Sequence, residues 1–467
     1  AIGVRQPVTL NLAAPGVRDL SGSSLFVRGD VVVDDGSVLR TDPGGSVSVT
    51  GNTVSILGSI ITPGGTINVA GGSSTSTVFS DSTQALVTTY LGSNAVLSAT
   101  GTTVLLPDDY ERRIGSVLAG GTITLGGNIA ATAGAILDVS GTSGILDLDP
   151  AVAVPVRGVI VPTNSGVTGP VDSLVTVPTR IDSDGGDIIL KGGQMLFSDA
   201  VLLANAGGKT AQGGTLSVSS GRYDAPGIIP PASTVTLTVK QAGSAGTAGI
   251  GAALGNAGHF AVDSFANGGF DSLTLGGVVS FEGAIDLKAR GSLRVATDGF
   301  LYADSKVKLT ASAAALGMAL QTPKLPGEIT SPFGASPFTP SHGNGSLTVK
   351  AGVIDVGSLS LQNIGEATLA ANNGDIRGNG TFQIAGDLTL RAGQIYPVTA
   401  TSLSFIAYDY GNRSGSIAIR SSGARQLPLS AGGTLGIYAS VIDQQGTLRA
   451  PFGSIHLGWD GTGTSPV

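Results

Sequence analysis

Apolar and polar residues alternate in short runs along most of the chain. One phrase recurs: a glycine, a small or acidic residue, and then apolar residues two positions apart with polar residues between them. Because successive side chains of a strand point to opposite faces, Val47 and Val49, or Leu388 and Leu390, share one face. The pattern predicts strands with one buried and one solvent-exposed face. The phrase begins at Gly45, Gly65, Gly121, Gly186, Gly214, Gly283, Gly345, Gly386, Gly415, Gly433 and Gly453.

The spacing of this phrase predicts a repeat architecture. Gly45 and Gly65, like Gly433 and Gly453, are about twenty residues apart, and shorter apolar pieces lie between the phrases. A unit of this size cannot enclose a core alone, but copies stacked on one another bury a continuous inner face. We therefore predict an all-β fold, a parallel β-solenoid that forms one elongated element over residues 1–467.

Four intervals interrupt the repeat: 90–113, 148–184, 222–232 and 317–345. The last three are rich in proline, which cannot donate a hydrogen bond to a β-ladder, and the first lacks the phrase. We expect irregular loops there, outside the stacked coils. The alanine-rich stretch from Ala311 to Leu320 is the only one whose pattern allows a turn or two of helix.

Composition narrows the classes of function. The chain has 73 glycines, no cysteine, 12% charged residues and a formal net charge of −7. Without cysteine there are no disulfides and no thiolate metal sites, and such a chain is compatible with export to an oxidising exterior. Without a basic cluster, a nucleic-acid partner is not expected. The sequence predicts no cofactor.

Several stretches resemble the repeat region of large bacterial exoproteins of the filamentous haemagglutinin type. They are NLAAPG from Asn11, RTDPGGSV from Arg40 and ITPGGTINVAGG from Ile61, together with the recurring phrase. The resemblance implies a right-handed parallel β-helix, secretion through an outer-membrane pore partner by the two-partner route, and adhesion, aggregation or biofilm formation. The Asn-Pro-Asn motifs of that family's secretion domain do not occur here, which puts the secretion route in question.

The alternative on the same fold is a polysaccharide lyase or hydrolase. Such an enzyme needs clustered acidic and basic side chains on one face. The one dense charged run is DDYERR from Asp108, which we interpret as a surface loop with internal ion pairs. His259, His342 and His456 have no nucleophile or carboxylate partner at a recognisable spacing.

The sequence evidence for a metal site is weaker than the evidence for an enzyme. Asp182, Asp184 and Asp187 alternate around glycines as in part of a calcium loop, but the glutamate that would complete an EF-hand is missing. A β-turn is the favoured interpretation, and no metal site is predicted.

We therefore predict a non-catalytic, secreted or cell-surface β-helical adhesin or structural protein, with carbohydrate or a matrix or cell-surface receptor as its partner. The ends of a solenoid expose unpaired strand edges, so end-to-end or lateral association into extracellular fibres is a further expectation. The predicted contact sites are two surface loops, made of Asp108, Asp109, Tyr110, Arg112 and Arg113 in one and of Phe333 and Phe338 in the other.

Overall fold

The structure, a computed structural model, describes residues 6–18, 26–79, 84–149, 176–224, 228–255, 257–318, 338–423 and 427–459. These residues are nearly all β, as predicted. None of their helices is long and apolar enough to cross a membrane. The chain divides into two compact units, the first made of Ala1–Ser217, Ser244–Gly255 and Ser264–Asp271, and the second of Val218–Gly243, Asn256–Asp263 and Ser272–Val467. The prediction of one continuous element over 1–467 stays a prediction.

The first unit consists of short strands, one helical turn α1 (Thr75–Val78) and part of helix α2 (Val262–Asn267). The division between the units falls within strand β20. The strands are β1 (Thr9–Ala14), β2 (Val17–Arg18), β3 (Phe26–Val27), β4 (Asp30–Val33), β5 (Val38–Arg40), β6 (Ser46–Gly51), β7 (Thr53–Ile56), β8 (Ser59–Ile61), β9 (Thr66–Ala70), β10 (Thr89–Leu91), β11 (Val96–Ser98), β12 (Thr102–Leu106), β13 (Ile114–Leu118), β14 (Thr122–Ala131), β15 (Ile136–Asp138), β16 (Ser143–Leu148), β17 (Val177–Asp182), β18 (Asp187–Ser198), β19 (Val201–Leu203) and β20 (Thr215–Ser220).

Three parallel ladders organise this unit. The first joins β1, β6, β9, β14 and β18, the second joins β4, β7, β10 and the later halves of β14 and β18, and the third joins β5, β8, β11, β15 and β19. The chain thus visits the three ladders in turn. We call one such passage a coil.

The recurring phrases stack in register. Val47 pairs with Ile67, which pairs with Ile123, and this residue pairs with Ile188. All four side chains are buried, so the residues that the alternation assigns to the inner face form one apolar column. The third ladder adds an inner column of the same kind, in which Ile60, Leu97, Leu137 and Leu202 are buried.

In the first unit, the glycines that open successive phrases also lie in a column. A Cβ atom on Gly121 would overlap the carbonyl oxygen of Gly65, and one on Gly186 would overlap that of Gly121. The same oxygens accept hydrogen bonds from the next residue of the following coil: the Thr122 amide donates to Gly65 O at 2.9 Å, and the Asp187 amide to Gly121 O at 2.9 Å. Glycine is therefore required here by close backbone approach, because no side chain fits between successive coils.

The second unit repeats the plan with other strands. They are β21 (Leu237–Lys240), β22 (Gly258–Ala261), β23 (Ser272–Leu275), β24 (Val279–Phe281), β25 (Ile285–Lys288), β26 (Ser292–Val295), β27 (Phe300–Ala303), β28 (Lys306–Thr310), β29 (Ala313–Leu316), β30 (Gly345–Ala351), β31 (Val353–Val356), β32 (Leu359–Gln362), β33 (Ile364–Ala371), β34 (Asp375–Gly378), β35 (Gly380–Ala385), β36 (Asp387–Ala392), β37 (Gln394–Pro397), β38 (Ser402–Tyr408), β39 (Ser416–Ser421), β40 (Thr434–Ala439), β41 (Val441–Gln445) and β42 (Ser454–Leu457).

Three parallel ladders recur in this unit as well. The first joins β23, β26, β29, β31, β34 and β37, the second joins β21, β24, β27, β32, β35, β38, β40 and β42, and the third joins β25, β28, β30, β33, β36, β39 and β41. Phe382 and Phe405 pair on adjacent strands, with ring centroids 5.9 Å apart, and both are fully buried. Large side chains thus fill the interior of this unit.

The structure corrects two expectations about irregular segments. The interval 90–113 contains β11, which belongs to a parallel ladder, and the excursion is an antiparallel hairpin formed by β12 and β13. The turn or two of helix that the pattern allows between Ala311 and Leu320 does not form in the described part of this stretch, because Ala313–Leu316 forms β29 and pairs in parallel with β26 and β31. Pairing with the neighbouring strands overrides the helix propensity of alanine here.

The proline-rich intervals are described only in part. Strand β17, at the end of the interval 148–184, pairs antiparallel with β16, while residues 150–175 lie outside the described residues. Residues 225–227 and 319–337 also lie outside them. The described residues of 222–232, and residues 338–343 of the last interval, form no strand.

Candidate contact surfaces

The predicted charged loop closes the β12–β13 hairpin. The carboxylate of Asp108 accepts hydrogen bonds from Arg112 Nη2 at 2.8 Å and Nε at 3.0 Å, and from the backbone amides of Tyr110 and Arg112 at 3.1 and 3.0 Å. The hydrogen bonds from the Arg112 guanidinium hold the pKa of Asp108 well below its usual range. The internal ion pair expected from the sequence is therefore confirmed, and it fixes the shape of the loop.

Arg113 forms a second ion pair, with a residue that the sequence did not single out. Its Nη2 and Nε donate to the carboxylate of Asp147 at 2.7 and 3.2 Å, and its backbone amide donates to the same carboxylate at 2.7 Å. These hydrogen bonds lower the pKa of Asp147. Because Asp147 lies in β16, the pair joins the two hairpins, β12–β13 and β16–β17.

Tyr110 is the exposed part of this loop. Its side chain is 66% exposed, and the Arg112 guanidinium carbon lies 5.3 Å from the ring centroid. Asp109 is also exposed. Leu105 and Leu106 at the end of β12 are exposed as well. The tip thus combines an aromatic ring, apolar side chains and paired charges, a composition that suits contact with another molecule.

The second predicted contact loop is only partly described, because Phe333 lies outside the described residues. Phe338 is half-buried, and its ring meets that of Phe300 edge-on, with centroids 5.3 Å apart. Since Phe300 is buried, Phe338 anchors its segment to the second unit.

The three aspartates of the metal hypothesis face different partners. Asp182 accepts hydrogen bonds from Arg180 Nε at 2.7 Å and Thr210 Oγ1 at 3.0 Å. Asp184 accepts one from the backbone amide of Gln212 at 2.7 Å. Asp187 lies on the outer face of β18. Among the described residues, no three side chains of His, Cys, Asp or Glu come together as a metal site.

The three histidines are also in separate places. His259 lies in β22, where burial lowers its pKa. His456 lies in the exposed strand β42. His342 stacks on Tyr410 with ring centroids 3.9 Å apart and an interplanar angle of 12°, and its Nδ1 lies 2.9 Å from the carbonyl oxygen of Ala385. His342 therefore lies flat against an aromatic ring.

Further aromatic and amide side chains surround this stack. Asn363 donates from Nδ2 to Tyr302 Oη at 3.3 Å and to the Ala303 carbonyl at 2.9 Å, and a Cβ atom on Gly343 would overlap the side-chain amide of Asn363. Tyr408 pairs with Ala385 along the ladder and donates its hydroxyl to Gln383 at 3.3 Å. We call Tyr302, His342, Asn363, Tyr408 and Tyr410 the aromatic surface.

The backbone fixes the aromatic surface. Asn363 adopts φ of 56°, a conformation that non-glycine residues seldom take. Tyr410 and Arg413 exchange two backbone hydrogen bonds of 3.0 Å in a tight turn, and Asp409 secures that turn by accepting hydrogen bonds from the Gly415 amide and Ser440 Oγ. The position of Asn363 and the turn that carries Tyr410 are therefore defined by the backbone.

Sequence reasoning missed this surface because its residues come from four separate segments of the chain. The signal that could have found it is the concentration of tyrosine between positions 302 and 438, in a chain with only eight tyrosines. Aromatic rings beside amide and hydroxyl groups present both an apolar face and hydrogen-bonding partners.

Another candidate contact surface lies on the outer face of the first ladder of the first unit. Over four coils its outward side chains are polar but uncharged. Its outward side chains form two columns that are linked between coils: Ser46 Oγ donates to Thr9 Oγ1 at 3.0 Å, and Asn68 Nδ2 donates to Ser48 Oγ at 3.3 Å. The columns are Thr9, Ser46, Thr66 and Thr122, and Asn11, Ser48, Asn68 and Thr124.

Comparison with known proteins gave no match: no family model, no curated protein and no solved structure is significantly similar to this chain.

Proposed function

We propose that the chain folds as a right-handed parallel β-helix and acts as a non-catalytic adhesin or structural element, exported to the surface of a bacterial cell or beyond it. The observation that carries the proposal is the in-register stacking of the glycine-led phrases, which turns a short repeat into continuous outer faces. On the first ladder, Ser, Thr and Asn fill such a face. Neutral polar faces of this kind suit contact with carbohydrate or matrix.

The charged groups of the hairpin tip support a non-catalytic function. A general acid needs a pKa near the working pH, and burial usually raises it to that value. Asp108 and Asp147 are shifted the opposite way, because arginine hydrogen bonds lower their pKa values. Both carboxylates therefore stay ionised and bonded, which suits a structural ion pair better than sugar hydrolysis.

The aromatic surface is the proposed carbohydrate contact. Stacking of sugar rings on Tyr410 and Tyr408 would bury apolar sugar faces, while Asn363 and the tyrosine hydroxyls offer hydrogen bonds. The resemblance to haemagglutinin-type exoproteins adds export through an outer-membrane pore and association into fibres to the proposal.

Binding to an array of defined neutral and acidic oligosaccharides tests the proposal. We expect Tyr410→Ala to weaken binding about tenfold, the equivalent of about 1.4 kcal/mol. The matched control is Tyr90→Ala, which removes a half-buried tyrosine from β10 of the first unit and should leave binding unchanged. Equal loss in both variants, or release of new reducing ends from the oligosaccharides, would contradict the proposal.

A further inference from the structure

The third ladder of the second unit has an outer face with an ordered distribution of charge. In strands β30, β33 and β36, three positions two residues apart alternate with the residues of the inner face, and all of them except the buried Ala370 are at least partly exposed. Pairing aligns these residues in three columns, which we call the acidic, threonine and basic columns. The acidic column contains Ser346, Glu366 and Asp387; the threonine column contains Thr348, Thr368 and Thr389; the basic column contains Lys350, Ala370 and Arg391.

The opposite charges are too far apart to pair within one copy. Glu366 and Ala370, which mark the two outer columns on β33, are four residues apart, or about 13 Å along a strand. Among the described residues, no ion pair involves Lys350, Glu366, Asp387 or Arg391. Lys350, Glu366 and Arg391 are exposed.

Like charges stack within the acidic column. Glu366 pairs directly with Asp387 on the adjacent strand, at the inter-strand spacing of about 4.8 Å. Like charges directly opposite each other destabilise a sheet. One coil further along, Arg420 next to Arg391 is neutralised by an ion pair with Asp443. Lys350, Glu366, Asp387 and Arg391 therefore lack the ion pair that Arg420 has, although Asp387 accepts a hydrogen bond from Ser416 Oγ at 2.6 Å.

We propose that this face binds the same face of a second copy. The coils stack in the same direction in both copies, and a two-fold axis between the copies runs along that direction. This symmetry places the acidic column of one copy opposite the basic column of the other. Asp387 then faces Arg391 of the second copy, and Glu366 lies between the levels of Lys350 and Arg391. The threonine columns meet at the axis, each threonine opposite its own counterpart.

The charge pattern selects this arrangement over the antiparallel one. If the two stacks ran in opposite directions, the acidic columns would face each other, and so would the basic columns. The contact is small: three strands at about 4.8 Å spacing and about 17 Å of strand length give roughly 500 Å² for both copies together, below the size of stable interfaces. The dimer should therefore be weak and should dissociate as salt increases.

Sedimentation of charge-reversed chains tests the pairing of the columns. The variant Glu366→Lys/Asp387→Lys has two basic columns, and Lys350→Glu/Arg391→Glu has two acidic ones, so each alone should be monomeric at concentrations where the wild type dimerises. An equimolar mixture should dimerise again. A wild type that stays monomeric up to millimolar concentration at low salt, or variants that fail to complement each other, would overturn the proposal.

Cross-linking tests the direction, since the chain has no cysteine of its own. Under mild oxidation, Thr348→Cys and Thr389→Cys should each form a disulfide-linked homodimer. In an antiparallel pair centred on Thr368, neither alone would cross-link efficiently, whereas a mixture of the two would, and that result would refute the parallel arrangement. The dimer contact depends on charged and threonine side chains and not on tyrosine, so dimerisation and oligosaccharide binding are measured independently of each other.

Discussion

Thr389 and Leu390 are neighbours in β36 and point to opposite sides of the ladder. Leu390 is fully buried and pairs with the buried residues Leu369 and Ile419, whereas Thr389 lies on the outer face. Adjacent positions of one strand thus separate the core from the surface, and they provide a matched pair for a stability measurement.

Leu390→Ala should lower the free energy of unfolding by about 2–5 kcal/mol, because it removes buried methyl groups and leaves a cavity. Thr389→Ala should change it by less than about 0.5 kcal/mol, as is usual for surface substitutions. Urea denaturation followed by far-ultraviolet circular dichroism measures both. Similar losses in the two variants would show that the inner and outer faces are assigned incorrectly.

Gly121→Ala should destabilise the first unit by about 1–3 kcal/mol, the range for forcing extra atoms into a packed region, because its methyl group would overlap the carbonyl oxygen of Gly65. Gly249→Ala is the control, since a Cβ atom at Gly249 meets nothing within 4 Å. Thermal unfolding measures the difference. A normal melting temperature for Gly121→Ala would refute the close approach of the coils.

Asp147→Asn should loosen the junction between the two hairpins, because it removes the charged acceptor of Arg113. The amide of residue 147 donates to the Arg113 carbonyl at 2.9 Å, so its hydrogen exchange reports on the junction directly. We expect faster exchange in Asp147→Asn and no change in the control Asp109→Asn, whose side chain is exposed at the hairpin tip. Unchanged exchange in Asp147→Asn would mean that the ion pair does not hold the hairpins together.

The hairpin tip should also respond to acid. The pKa values of Asp108 and Asp147 are lower in the folded chain than the usual value of about 3.9, so their stabilisation is complete above that pH. It should be lost as the pH falls from about 4 through the lowered folded-state values. The measurement is hydrogen exchange of residues 102–118 between pH 5 and pH 2, because protease cleavage at Arg112 and Arg113 cannot be followed in acid. Protection that stays constant over this range would contradict the prediction.

The inner faces of the coils could be predicted from sequence because a strand has a period of two. Val47 and Val49, assigned to one face by alternation, are both buried, and so are Leu388 and Leu390. The strands β12 and β13 lack this alternation, and the antiparallel hairpin that they form was not predicted. At Ala313–Leu316 three alanines precede a leucine, so the pattern assigns no face, and pairing with neighbouring strands decides the conformation.

The contact surfaces could be predicted less completely, because they depend on contacts between distant residues. Asp108 and Arg112 are four residues apart, and their ion pair was expected. Arg113 and Asp147 are separated by 34 positions, and the His342–Tyr410 stack joins segments that are further apart still. Only the folded coils bring such residues together.

One corner of the first unit accepts segments of very different length. Between the third ladder and the first, the chain makes a short turn from β8 to β9, but it inserts the β12–β13 hairpin between β11 and β14 and the β16–β17 hairpin between β15 and β18. The ladders keep their register on both sides of each insertion. This corner is therefore a natural graft point, where a foreign peptide could replace a hairpin tip and be displayed without altering the stack that carries it.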